Sequence, residues 1–446
     1  MYKEIVTIGF PTFLETLFVS FATIIDSRMV ATIGISAISA VSVTTQPRLF
    51  VYCAFFAFNT VTTSLVAKYY GENSQEEANK ILDHGLRITL ILGAVLSVVS
   101  VLLARGIMQV FSGQPDTMSD SIMYFRIVMA GMLFNLIFME INAAMRGIGQ
   151  TRQPFAVNVV ACVVNLCGNY LLINGNFGFP AWGIKGAAIA TVAGNAAACV
   201  VSLCFLLNTK RFVNLPYIVR SKYRMTKESL AEVRELSKSC LIDNFSLRAT
   251  LLVISGITAR IGSFELAVFS VGNYLMNVNF ALGTGLQTSA VSLIGKSYGE
   301  NNRTRISEYR VSIQKFGMAC AAAFALIYAF GGKYFFEFFS TEADFVAEGV
   351  YSSIFIAVIT IFQVLKFIYN GCLQGVEKMR AVMWCSVIAY SGVNLLMVAL
   401  LVLVFHMGLK GVWISTLASQ MSQSLMLYYC VRRTPVLYGK APESDR

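Results

Sequence analysis

Long apolar runs broken by short polar stretches dominate this chain. Ile88 to Ala104 carries no charge, nor does Ala187 to Asn208 or Val393 to Phe405. A helix needs about 20 apolar residues to cross the hydrocarbon core of a bilayer. Backbone groups in lipid must be satisfied within the spanning structure, so only helices and closed barrels qualify. These runs are continuous rather than alternating, which predicts helices. About twelve spans fit the pattern, at 5–33, 37–67, 86–111, 122–145, 154–174 and 184–207, then 236–261, 265–295, 312–339, 348–371, 381–406 and 410–431. The expected fold class is an all-α membrane protein. The opening MYKEIVTIGF runs into the first apolar segment without a small-residue cleavage site, so the first helix itself is expected to direct insertion.

The pattern repeats. Lys68-Tyr69-Tyr70-Gly71-Glu72-Asn73 matches Lys296-Ser297-Tyr298-Gly299-Glu300-Asn301 at an offset of 228 residues (296 − 68). The same offset aligns Ile33-Gly34 with Ile261-Gly262, Asn142 with Asn370, and Glu15 with Asp243. Gly183-Ile184-Lys185-Gly186 aligns with Gly408-Leu409-Lys410-Gly411. Duplication of this length predicts two six-helix lobes. An even number of spans separates the copies, so they share one orientation and form a parallel repeat. The expected division is a first lobe over 1–207, a cytoplasmic linker over 208–234 and a second lobe over 235–446. The linker is the one long polar connection and holds Lys210, Arg211, Arg220, Lys222, Arg224, Lys227 and Arg234.

Composition supports lipid as the solvent: 56% of residues are hydrophobic and 13% charged, against roughly 25% charged in soluble domains. A net charge of +11 could suggest nucleic acid, but the basic residues sit in alternate loops. Lys68, Lys80, Arg87, Arg146, Arg152, Arg303, Arg305, Arg310 and Lys315 fall on one side, with Arg432, Arg433 and Lys440 in the tail. Asp116, Asp120, Glu342, Asp344 and Glu348 fall on the other. That bias predicts both termini in the cytoplasm of a cell-membrane protein. The ten cysteines show no metal-ligand spacing and read as small core- or lipid-facing residues. His84 and His406 stand alone.

One segment carries a specific likeness. Asn142-Ala-Ala-Met-Arg146-Gly147-Ile-Gly149-Gln-Thr151-Arg152-Gln-Pro154 is followed by Asn165, Asn169-Tyr-Leu-Leu-Ile173, Gly178-Phe-Pro180 and Gly183-Ile-Lys-Gly-Ala-Ala-Ile-Ala-Thr191. Pro11, Asp26 before Ile33-Gly34, and Gln46-Pro47-Arg48 fit the same pattern. The chain resembles bacterial transporters of the multidrug and toxic compound extrusion (MATE) family along essentially its whole length. The resemblance implies twelve helices, a central cleft, and export of organic solutes by antiport against a proton or sodium gradient, with H+ or Na+ as coupling ion and no other cofactor. It carries cation-binding roles onto Asp26, Asn165, Asn169 and Thr191. Many members have aspartate where Asn169 stands, so this chain has one negative charge fewer there. The partners it implies are a small organic substrate and membrane lipid, with no nucleic acid and a monomeric state.

The residues can also be read directly. A carboxylate such as Asp26 inside an apolar helix costs roughly 2.5–3.5 kcal/mol on insertion scales and survives beside a cation, a proton or polar neighbours. Asn158, Cys162, Asn165 and Asn169 share one face of the fifth span. The Asp26 carboxylate, two amide oxygens of this stripe and the Thr191 hydroxyl form an all-oxygen set suited to a hard cation, and the same partners could hydrogen-bond a protonated Asp26. The alternative is a buried structural network between helices. Glu15 precedes Asp26 by three helical turns, roughly 16 Å. It reads as a relay or gate, or as the partner of a buried base such as Arg48. Arg28 is expected to snorkel to the outer interface.

The second lobe has Ile254 where Asp26 stands, so the coupling site is not duplicated. It carries Asp243 and Arg248 on the seventh span and Lys366 on the tenth, a possible substrate cluster or a structural one. Five residues make Asp243 and Arg248 a poor local pair, and a pair of Asp243 with Lys366 across helices is expected instead. These bases keep a flippase of a lipid-linked or anionic substrate as an alternative. A membrane-embedded enzyme is disfavoured, because the chain has no His-Glu-x-x-His, Gly-x-Ser-x-Gly or phosphate-binding loop motif.

Overall fold

The computed structural model describes residues 1–111, 117–209, 211–221, 227–340 and 342–439. Lys210, Lys222, Arg224, Asp116 and Lys440, used above for topology, lie outside the described residues. Besides short helices at Ala104–Phe111 and Leu215–Ser221, the long helices in chain order are α1 (Tyr2–Ala31), α2 (Ile35–Gly71), α3 (Gln75–Leu102), α4 (Met118–Ala130 with Met132–Gly147), α5 (Arg152–Leu172) and α6 (Gly183–Leu206). Then come α7 (Lys227–Ile261), α8 (Ser263–Gly299), α9 (Arg303–Glu337), α10 (Ala343–Gly375), α11 (Met379–Val404) and α12 (Gly408–Arg432). No strand occurs among the described residues.

Ten of these helices are long and apolar enough to span a membrane, and α4 adds an eleventh across a 48° bend. The twelfth, α12, has 25 residues, about 37 Å of helix. Its low hydropathy comes from Ser415, Ser419, Gln420, Gln423 and Ser424, all of them buried. Packing replaces lipid as the partner of those groups. Ser419 donates to the Ala389 carbonyl at 2.9 Å and Gln423 to Ser386 Oγ at 2.7 Å.

The repeat is visible in the backbone. α2 and α8 both have 37 residues and end at Gly71 and Gly299. Both stop the same way: Glu72 N–H reaches the Lys68 carbonyl at 3.0 Å, and Glu300 N–H reaches Lys296 at 2.9 Å. Asn73 and Asn301 then turn with φ of 54° and 53°, the left-handed conformation that asparagine tolerates among non-glycine residues. The helix starts at α6 and α12 use left-handed glycines at matching places, Gly183 (φ 53°) and Gly408 (φ 57°).

Two compact units result, Leu14–Ser237 and Met1–Phe13 with Lys238–Arg446. The first thirteen residues therefore pack with the second unit. Their close approach to α8 depends on glycine: a Cβ at Gly285 would lie 2.6 Å from the Gly9 carbonyl oxygen. Ser289 Oγ on the same helix donates to the Ile5 carbonyl at 3.0 Å. The core of this unit includes Ile5, Ile306, Ile313, Ile368 and Leu373, and near its other end Trp413, whose Nε1 donates to Ser352 Oγ at 3.0 Å. In the first unit, Phe55, Phe125, Met129 and Leu136 form one core cluster, and Val30, Ala37, Tyr124 and Ala188 another. Large apolar residues such as Phe21, Ile91 and Val110 point outward, as a lipid-facing surface requires.

Candidate functional site

In the first unit the asparagine stripe of α5 meets α1. Asn169 Nδ2 donates to Asp26 Oδ1 in a very short contact. Asn169 is fully buried and Asp26 partly so. Asn165 lies one turn before Asn169 and donates to Thr191 Oγ1 on α6 at 3.3 Å, and Thr191 donates to the Ala187 carbonyl at 2.9 Å. Asn169 Nδ2 also reaches Asn165 Oδ1 at 3.5 Å. The four residues carried over from the family resemblance thus form one connected cluster. Two further side chains belong to it. The guanidinium of Arg48, on α2, acts on Asp26 through space. Tyr124, on α4, lies beside both Arg48 and Thr191.

The donor set can be tested for a cation. Asn169 Oδ1 is buried with no hydrogen-bond partner, and together with the Asp26 carboxylate it supplies oxygens that suit a hard ion. Arg48 opposes this, because its positive charge already offsets Asp26. Among the described residues no group of three His, Cys, Asp or Glu side chains is placed to hold a metal ion. Arg28 is exposed, in line with an interfacial position.

Glu15 forms a separate cluster on the same helix. Arg146 Nη2 reaches Glu15 Oε1 at 2.6 Å, and Asn158 Nδ2 donates to the same oxygen at 2.8 Å. The basic partner is therefore Arg146, at the end of α4, and not Arg48. Arg146 looked like a loop charge in the sequence because α4 runs on to Gly147.

In the second unit, Asp243 on α7 lies beside Ser386 on α11, and Lys366 on α10 acts on it through space. The ammonium of Lys366 donates to Tyr390 Oη at 2.8 Å and lies 4.8 Å from the Phe367 ring centroid. Arg248 is not among the groups that act on Asp243. Tyr390 falls within Ile388–Asn394, where α11 widens into a π-helical turn. Such turns often mark functional sites. Ser386 and Tyr390 sit in an apolar run and escaped sequence reasoning. The repeat could have found the first, since Ser386 stands at the 228 offset from Asn158, just as Asp243 does from Glu15.

The sequence reading also missed Glu140, on α4. It is fully buried, and Thr62 Oγ1 donates to its Oε1 at 2.6 Å.

Two repeated sets of membrane-length helices, each enclosing polar and charged clusters, define a polytopic membrane protein. The family model described as MatE matches residues 11–171 and again 240–400. The chain belongs to this family of transporters. It is 26% identical over 406 residues to the probable multidrug resistance protein YoeA of Bacillus subtilis, covering 89% of this chain and 86% of that protein. It is 23% identical to the probable multidrug resistance protein NorM of Agrobacterium fabrum, covering 87% of this chain and 84% of that one. The fold matches a solved multidrug resistance MATE family transporter in an outward-facing conformation. The TM-score is 0.88 at 17% identity, over 99% of this chain and 97% of that one.

Proposed function

We propose that this protein is an antiporter of the cell membrane that exports small organic molecules by alternating access, with Asp26 as the coupling carboxyl and the proton as the driving ion. The observation that carries the reading is the placement of Asp26 between Asn169 and Arg48. Neither amide can change charge, so Asp26 is the member of the cluster able to alternate between charged and neutral forms. A driving ion must favour one state of the carrier over another, and a proton on Asp26 does so without needing room. A sodium ion would have to sit close to the Arg48 guanidinium. The relatives are named as multidrug resistance proteins, which favours drug-like substrates over a lipid-linked sugar. Both termini are read as cytoplasmic and the working unit as a monomer. Cysteines introduced at 222 and 342, after background cysteines are replaced, test the orientation. Labelling of position 222 from outside intact cells would refute it.

Proteoliposomes with an imposed pH gradient or an imposed sodium gradient, and a panel of organic solutes, test the mechanism. The expected result is uphill export with the pH gradient alone, abolished in Asp26→Asn while insertion and solute binding persist. Uphill export driven by sodium at matched pH would overturn the choice of ion. Uphill export by Asp26→Asn at the wild-type rate would remove Asp26 from the mechanism.

A further inference from the structure

The interior of the first unit holds a carboxyl group that the coupling cluster does not use. Glu140 lies mid-way along the second half of α4 and is 0% exposed. Thr62 Oγ1, from α2, donates to Oε1 at 2.6 Å. Asn59, one turn earlier on α2, sets its amide 2.7 Å from Oε2, where the amide oxygen accepts from a protonated carboxyl and, with the amide turned over, its nitrogen donates to an ionised one. On the third side α3 presents Gly85, and a Cβ there would lie 2.0 Å from Oε1. The carboxyl therefore fills the space that this glycine leaves.

Among the described residues no countercharge acts on it. α4 packs on α2, α3 and α6. Their titratable side chains include Arg48, Tyr52, Lys68, Tyr69 and Tyr70 on α2, and Glu76, Glu77, Lys80, Asp83, His84 and Arg87 on α3. α6 adds Lys185, Cys199 and Cys204, and α5 contributes Arg152, Cys162, Cys167 and Tyr170. On α4 itself, Arg146 is engaged by Glu15, and Asp120, Tyr124 and Arg126 lie on the far side of the bend. None of these acts electrostatically on Glu140. An ionised carboxylate with no cation in such a place is costly enough that the group takes up a proton instead.

The repeat shows that packing alone does not demand this arrangement. At the 228 offset Glu140, Gly85 and Thr62 correspond to Ile368, Ile313 and Ala290. Those three are fully buried in a single hydrophobic cluster of the second unit. In the first unit all three positions differ together: a carboxyl replaces an alkyl group, a glycine makes room for it and a hydroxyl binds it. That is a built site for an acid.

We propose that Glu140 is a second proton-binding site of the transport cycle, a carboxylic acid that releases its proton to water during turnover. The inference rests on the antiporter reading but not on Asp26, so its test includes the Asp26→Asn background. The experiment is infrared spectroscopy of the full chain in proteoliposomes, with and without Glu140→Gln. At pH 7 a carboxylic C=O band is expected in the wild type and in Asp26→Asn, absent once Glu140 is replaced. A carboxylic C=O region at pH 7 that is unchanged by Glu140→Gln would show an ionised group and overturn the proposal. Glu140→Gln keeps the shape and a hydrogen-bonding amide, so it should fold. The pH profile of ethidium export should then lose one ionisation relative to wild type. Loss of the band with a superimposable pH profile would mean that the proton never leaves during turnover, and would equally overturn a role in the cycle. If ethidium is not carried, the uptake of protons on a pH jump, measured with a dye in the same vesicles, decides the same point. One proton fewer in Glu140→Gln supports the site, and an equal count refutes it.

Discussion

Replacing Arg146 with alanine should destabilise the first unit far more than an ion pair at a protein surface would suggest. Arg146 Nη2 sits 2.6 Å from Glu15 Oε1, and the two side chains are 26% and 7% exposed. Without Arg146, Glu15 keeps one donor, Asn158 at 2.8 Å, while its Oε2 already lacks a partner. Stranding one member of a buried pair costs about 3–5 kcal/mol. Arg146 is partly reached by solvent, which puts the expected loss near the lower end, about 3 kcal/mol. An exposed pair would give about 0–1 kcal/mol. Glu15→Gln removes the charge but retains an oxygen that both donors can reach, so it should cost about 1 kcal/mol. Arg146→Ala in the Glu15→Gln background should then cost only about 1 kcal/mol more, a coupling of about 2 kcal/mol between the two sites. Reversible unfolding in mixed micelles, followed by tryptophan fluorescence and run as a double-mutant cycle, measures this. If Arg146→Ala cost the same in both backgrounds, the pair would contribute nothing beyond its separate parts and the argument from burial would fail.

Three other outcomes follow from close contacts. Gly285→Ala should destabilise by about 1–3 kcal/mol, because the new Cβ meets the Gly9 carbonyl oxygen at 2.6 Å. Gly106→Ala, which meets nothing within 4 Å, should be neutral or stabilising by up to about 1 kcal/mol, and thermal unfolding of the two variants side by side checks both. Tyr390→Phe removes the acceptor held by Lys366 at 2.8 Å and should cost about 1.5–3 kcal/mol, the range for a hydrogen bond to a charged group; a loss below about 0.5 kcal/mol would show that Lys366 finds another acceptor.

The helices and their pairing by repeat were legible because lipid enforces long apolar runs and because Lys68 to Asn73 recurs almost unchanged at Lys296 to Asn301. The boundaries were less so. α3 was expected from 86 and begins at Gln75, since its first turns are amphipathic, with Ala78, Ile81 and Leu82 buried and Glu76 and Glu77 outward. The cluster around Asp26 was readable from helical spacing together with the family resemblance. Tyr124 and Arg48 were not assigned to it, because they come from α4 and α2 and spacing along one helix says nothing about its neighbours. Glu15 was recognised but given Arg48 as the base it might pair with, for the same reason. Glu140 fell inside the 122–145 span and was not singled out. Its meaning lies in the simultaneous change of Gly85 and Thr62, which only the fold brings together.

The unequal lengths of the helices have a mechanical consequence. α2 and α8, at 37 residues each, measure about 55 Å, well beyond a hydrocarbon core of about 30 Å. They can slide or tilt as a bilayer thickens, because polar and apolar ends are both in reserve. α5 has 21 residues and measures about 32 Å, so it has almost none. It is also the helix that holds Asn165 and Asn169 against Thr191 and Asp26. A thicker membrane is met by thinning of the lipid around α5 or by strain along it, and that strain falls on the cluster around Asp26 before it reaches the longer helices. On the proposed mechanism, bilayer thickness would act on Asp26 through the shortest span among the described residues rather than through the protein as a whole.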